Sequence, residues 1–113
     1  MEKVLTGGCF NKLHPGHKYL LKKAKSFGYL IVVLTNDKNN KKKNAIPAKL
    51  RKQNLEKLKI ADKIVIGHPS DFMKVVKKEK PDIIVLGYDQ KLPVKKSDIK
   101  GIVVKRFKKY GNY

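Results

Sequence analysis

Residues 29–35 read Tyr-Leu-Ile-Val-Val-Leu-Thr, a continuous apolar run rich in β-branched side chains. Polar and apolar positions do not alternate in it, so both sides of such a strand need cover. That is the condition of a strand buried in a parallel sheet with helices over its faces. Parallel neighbours cannot be joined by tight hairpins and need crossover connections. The run therefore asks the rest of the chain to supply helices between strands.

The flanking sequence supplies them. Residues 3–8 read as a short apolar strand. Residues 15–27 read as a helix with Pro15 in its first turn and Gly28 as its stop. Within it Leu20, Leu21, Ala24 and Phe27 share one face, and Lys18, Lys22 and Lys25 another. Residues 36–45 are polar and basic, hence a loop. A second helix is expected over 47–60, with Leu50, Leu55 and Leu58 on its apolar side. Residues 63–66 form a third strand. Ser70 is a plausible N-cap, and Phe72, Val75 and Val76 give the next helix its inner face. Residues 82–86 and 102–104 complete five strands. The expected fold is α/β, a doubly wound, Rossmann-like five-stranded parallel sheet with right-handed crossovers and helices on both faces. In such sheets ligands bind beyond the carboxyl ends of the strands, near the point where strand order reverses. The segments of interest are therefore 7–17, 36–45, 67–71 and 87–93.

The 113 residues fit one domain, 1–113. No apolar run approaches the roughly 20 residues of a membrane span, and Met1-Glu2-Lys3 opens no signal-peptide pattern. Cys9 is the single cysteine, so no intrachain disulfide forms, and a cytoplasmic protein is expected. The net charge of +19 invites a nucleic-acid partner. Nearly all of it is lysine, however, with Arg51 and Arg106 the only arginines. Bidentate readers of bases and phosphates lean on arginine. The lysines also occupy solvent-facing helix positions. Nucleic acid is therefore not the expected partner, and a nucleotide or phosphorylated substrate suffices for the charge.

After the first strand stands Gly7-Gly8-Cys9-Phe10-Asn11-Lys12-Leu13-His14-Pro15-Gly16-His17. The glycines let the backbone turn tightly and approach a ligand. His14 and His17 are three apart and can share one side of a first helical turn. That turn exposes unpaired N–H groups and the positive end of the helix dipole, a ready anion site. Gly16 leaves room for a phosphate, and the imidazoles can donate to phosphate oxygens in a transition state. The layout suits phosphoryl or nucleotidyl transfer.

The segment resembles the GxFDxxHxGH signature of the cytidylyltransferase-like nucleotidyltransferases. The resemblance implies that His14 and His17 contact the triphosphate and stabilise charge at the α-phosphorus. It also implies that Gly8, Cys9, Phe10, Pro15 and Gly16 belong to the nucleotide site with them. Two positions depart from the signature: Cys9 stands where Thr is usual, and Asn11 where Asp is usual. Asn keeps the turn geometry and loses the charge. Arg51 matches a recurrent arginine of the family, and the loop 38–43 matches a lysine-bearing loop that reaches the triphosphate. Pro81-Asp82-Ile83-Ile84-Val85-Leu86-Gly87-Tyr88-Asp89-Gln90 and the region of Arg106-Phe107-Lys108-Lys109-Tyr110-Gly111 are similar to the archaeal FAD synthases. This similarity implies Asp89 as a nucleotide contact and the reaction ATP + FMN → FAD + pyrophosphate. It implies Mg²⁺ or another divalent metal arriving with ATP or CTP, few protein ligands for it, and a homodimer. The family's Ser/Thr-rich motif opening a final helix would begin about where the chain ends, at Tyr113.

Other readings compete. One is CTP-dependent transfer to glycerol 3-phosphate or a similar phosphorylated alcohol. Others are a basic nucleic-acid-binding module and a nucleotide-binding domain without turnover. Cys9, His14 and His17 are zinc-ligand types without an evident fourth partner. Cys9 as a nucleophile beside a histidine base is a further alternative. A dinucleotide site is disfavoured because no G-x-G-x-x-G follows the first strand. His68 reads as a loop residue without a role.

Overall fold

The computed structural model describes residues 2–40, 45–67, 72–87 and 94–108, all but the side chain of Lys96. Among these residues five strands form one parallel sheet: β1 (Lys3–Gly8), β2 (Tyr29–Leu34), β3 (Lys63–Ile66), β4 (Ile83–Leu86) and β5 (Val103–Arg106). The order across the sheet is β3-β2-β1-β4-β5, with every neighbouring pair parallel. From β1 the chain moves to β2 and β3 on one side. It then crosses to β4 and β5 on the other, so the reversal falls between β1 and β4.

The helices are α1 (Pro15–Lys25), α2 (Ala48–Leu58) and α3 (Phe72–Glu79). Strand side chains alternate between the two faces. Val4, Leu30, Val32, Leu34, Ile83 and Val85 pack with Leu21 and Ala24 of α1 and Leu55 of α2. Leu5, Ile31, Val33, Ile84 and Leu86 pack with Val75 and Val76 of α3. The apolar run of β2 lies buried from Leu30 to Leu34, between these two apolar layers. α1 closes at Lys25 with Ser26 as its C-cap, and the turn into β2 needs glycine at 28, where a Cβ would run into the carbonyl oxygen of Glu2, just before β1. No helix among the described residues is long and apolar enough to cross a membrane.

Two expectations need correction. Leu50 is 49% exposed, whereas Ala48, Arg51 and Leu55 are the buried positions of α2. The spacing 48-51-55 defines the inner stripe, and Leu50 lies about 100° away from Arg51 around the helix. Apolarity misled because an arginine occupies the inward position. The last strand also runs from Val103 to Arg106 rather than over 102–104. Lys105 and Arg106 pair with Val85 and Leu86 although they are charged. An edge strand needs ladder partners on one side only, so its charged side chains can reach water. The loop after β2 contains a short 3₁₀ turn, Asp37–Asn39, begun by the side chain of Asn36 accepting from Lys38 N. The N-cap expected at Ser70 and the site of His68 lie outside the described residues.

The amino edge of the sheet is tied by carboxylates. Asp62, one residue before β3, accepts from Leu30 N at 2.8 Å and from Lys25 Nζ at 2.7 Å. It thereby joins β3, β2 and α1. The Lys25 ammonium and the Leu30 N–H hold its carboxyl below the usual carboxylate range, against a smaller opposing effect of burial. A lowered folded-state pKa contributes stability that is complete above the unfolded value, about 3.9. That contribution is lost as pH falls through the folded value. Asp62→Asn is therefore expected to lower the melting temperature at pH 6 and to narrow its gap to wild type towards pH 3. Thermal melts across that range check this, and a gap that stays constant would count against it.

Candidate active site

The carboxyl end of β1 delivers the chain into Cys9 and Phe10. Phe10 takes a left-handed backbone conformation, φ 51°, in which a bulky residue is strained. Its ring is nevertheless buried, folded back beneath the strand end. Gly8 is the residue that allows this: a Cβ there would stand 3.0 Å from the Phe10 ring. The ring then meets His17 edge-on, with centroids 5.1 Å apart.

His14 is the N-cap of α1, in extended conformation, and Pro15 occupies the first helical position. The Nδ1 of His14 accepts from His17 N over a long 3.4 Å, while the His14 carbonyl accepts from His17 N at 3.0 Å and Lys18 N at 3.2 Å. A neutral imidazole accepting at Nδ1 carries its proton on Nε2. The two imidazoles stack face to face, with centroids 3.8 Å apart and planes at 17°. Phe10, His17 and His14 thus form one ladder of rings at the start of α1, each ring half-buried or buried. One expectation is narrowed here. Pro15 has no N–H, and the His17 N–H is already engaged with His14, so the first turn offers fewer donors to an anion than its position suggested. The imidazoles and the helix dipole carry more of that role.

Arg51 explains how the loops hold. Its guanidinium is fully buried. Nε donates to Ile46 O at 2.6 Å, Nη1 to Cys9 O at 2.9 Å, and Nη2 to Asp37 Oδ1 at 2.8 Å. The same Asp37 oxygen accepts from Ala48 N at 2.8 Å. Asp37 thus caps α2, whose formal N-cap, Pro47, provides no side-chain bond. Nearby, Asn11 and Asn40 exchange two amide hydrogen bonds, at 2.9 and 2.7 Å, and Asn11 Oδ1 also accepts from Ile46 N at 2.9 Å. The thiol of Cys9 donates to Thr35 Oγ1 at 3.5 Å.

Gly8, Cys9, Phe10, His14, Pro15, Gly16 and His17 therefore come together in one segment at the carboxyl edge of β1, next to the β1/β4 reversal. Asp89 and lysines 41–43 lie outside the described residues, and Lys38 is exposed. Arg51 is a scaffold group in contact with the segment's backbone. Sequence reasoning missed Asp37 and Asn40. The signal available for Asp37 was an acid within a strongly basic stretch. Among the described residues no group of three His, Cys, Asp or Glu side chains, Cys9, His14 and His17 included, is gathered closely enough to hold a metal ion.

Residues 5–109 match the cytidylyltransferase-like family. A protein named FAD synthase from Ferroglobus placidus is 42% identical over 93 residues, covering 80% of this chain and 61% of its own length. The chain thus spans about three-fifths of that relative. Another FAD synthase, from Aciduliprofundum boonei, is 41% identical over 122 residues, covering 99% of this chain and 82% of its own. Among solved structures, the lipopolysaccharide core biosynthesis protein of Thermoplasma volcanium superposes with a TM-score of 0.86 at 35% identity, covering 98% of this chain and 99% of that one.

Proposed function

This chain belongs to the cytidylyltransferase-like family, and on that premise we propose that it is a nucleotidyltransferase moving AMP from ATP onto FMN, with FAD and pyrophosphate as products. The observation that carries the transfer chemistry is the stacked pair of His14 and His17 at the start of α1. FMN as acceptor is supported by the FAD synthase named above that aligns with 99% of this chain.

The acceptor phosphate is already an anionic nucleophile and needs no covalent enzyme intermediate. It attacks the α-phosphorus in line while pyrophosphate leaves. Negative charge grows on the phosphate oxygens, and the ring N–H groups at positions 14 and 17 supply donors there, backed by the positive end of α1. Phe10 and Gly8 set the ring ladder in place before substrate arrives, so positioning supplies much of the remainder. A divalent metal, Mg²⁺ in the simplest case, neutralises triphosphate charge when bound. The described residues offer it no ligand set, so no step is assigned to the chain through it.

The test is pyrophosphate release with Mg²⁺, pairing ATP or CTP with FMN or glycerol 3-phosphate. ATP with FMN is expected to turn over and the other pairs to be slow. A preference for glycerol 3-phosphate or CTP would overturn the FMN reading and leave the family chemistry standing. The end-to-end match to a protein named for lipopolysaccharide core biosynthesis favours, as the second reading, transfer onto another phosphorylated acceptor. Phosphorylated sugars in the same assay would reveal it.

A further inference from the structure

We propose that Asn11 and Asn40 form a neutral latch that positions the two loops beside the nucleotide, and that position 11 takes no part in holding a metal ion. The proposal rests on the nucleotidyltransferase reading above.

The backbone N–H of Ile46 can only donate, and it meets Asn11 Oδ1 at 2.9 Å. That contact fixes which end of the Asn11 amide is oxygen. Nδ2 of Asn11 must then face Asn40 Oδ1, at 2.9 Å, and Nδ2 of Asn40 returns to Asn11 Oδ1, at 2.7 Å. Both lone-pair directions of Asn11 Oδ1 are therefore in use. A metal ion could reach that oxygen only by displacing one of these donors. Asn40 is buried, with 6% of its surface exposed, so leaving its amide unmatched is costly.

The pair has a mechanical consequence. Asn40 and Ile46 both attach to the single side chain of Asn11, and the sequence between them is Lys-Lys-Lys-Asn-Ala. The two ends of a three-lysine span are thus fastened to the segment that carries His14 and His17. The latch needs an amide at both positions. A carboxylate at 11 has no proton for Asn40 Oδ1, would set two oxygens against each other, and would bring negative charge toward a triphosphate.

Calorimetric ATP binding, with and without Mg²⁺, and steady-state kinetics test the latch in the full chain. Asn11→Ala and Asn40→Ala are each expected to raise the ATP Kd and KM about tenfold, with kcat changing less than about threefold. The double variant is expected to match the singles rather than multiply them, because the residues act as one unit. Asn11→Asp is expected to bind ATP more weakly at every Mg²⁺ concentration, with the Mg²⁺ midpoint unmoved. Unchanged ATP affinity in the singles, multiplicative loss in the double variant, or an Asn11→Asp protein with a lower Mg²⁺ midpoint would each overturn the proposal. If circular dichroism shows the alanine variants unfolded, Asn40→Asp and Asn11→Asp carry the same comparison with nearly unchanged shape. Wild-type turnover and its loss in His14→Ala report on the parent reading separately. A wild type that binds no nucleotide defeats both.

Discussion

Turnover of the His14→Ala protein is expected to fall by about 10²- to 10³-fold, with far less change in ATP affinity. The imidazole at 14 also accepts from His17 N and so caps α1, which means alanine removes two things at once. His14→Asn separates them. Asparagine is among the best N-cap residues and should recover about 1 kcal/mol of the stability lost in alanine, while its turnover stays as low. His17→Ala should resemble His14→Ala, because the stacked rings present their donors together. Single-turnover kinetics and denaturant melts of the three variants provide the check. A His14→Asn protein with near wild-type turnover would mean that position 14 matters for the helix and not for the chemistry.

Arg51→Met is expected to destabilise the domain by about 2–4 kcal/mol, the cost of leaving two part-buried carbonyls without their donor, since the third partner, Asp37, is exposed and can return to water. The guanidinium spans three separate segments, through Cys9 O, Ile46 O and the Asp37 carboxylate. Methionine replaces its volume and none of its donors. Two carbonyls then lose their partner, and Asp37 loses one of the contacts that hold it on the end of α2. Arg51→Lys should recover little, since an ammonium cannot reproduce the planar fork. Urea denaturation is the measurement, with a shifted midpoint at constant slope as the expected form. A loss under about 1 kcal/mol would show that the loops hold without this residue. Against a typical total of roughly 5–15 kcal/mol, the larger loss would leave a marginal protein. The strained Phe10 backbone lies one residue from the carbonyl that Arg51 grips, so loop order should fail early.

The strands were legible because their apolar runs are short, dense and bounded by turn residues. Val32 and Leu34 face one layer and Ile31 and Val33 the other, as a run without alternation requires. The histidine segment was legible because residue type, spacing and position after β1 agreed with one another. What escaped were residues whose role depends on distant partners. Arg51 could be matched to a recurrent arginine of the family, but sequence does not reveal that its helix turns it inward onto Cys9, Ile46 and Asp37. Asn40 looked like one more polar loop residue, and only the fold brings it to Asn11, 29 positions away. Leu50 misled for the complementary reason, since apolar character suggests burial without dictating it.

Among the described residues β5 pairs with β4 on one side only, and along it Val103 is 52% and Val104 37% exposed. An uncovered strand with β-branched side chains is a template on which another copy can add itself, the first step of fibrous aggregation. Lys105 and Arg106 close that same strand, and every copy carries a formal charge of +19. Two chains approaching edge to edge repel before their backbones can meet. The lysine excess that first suggested a polyanionic partner is, on this account, a colloidal safeguard, and one that salt would weaken by shortening the reach of the repulsion.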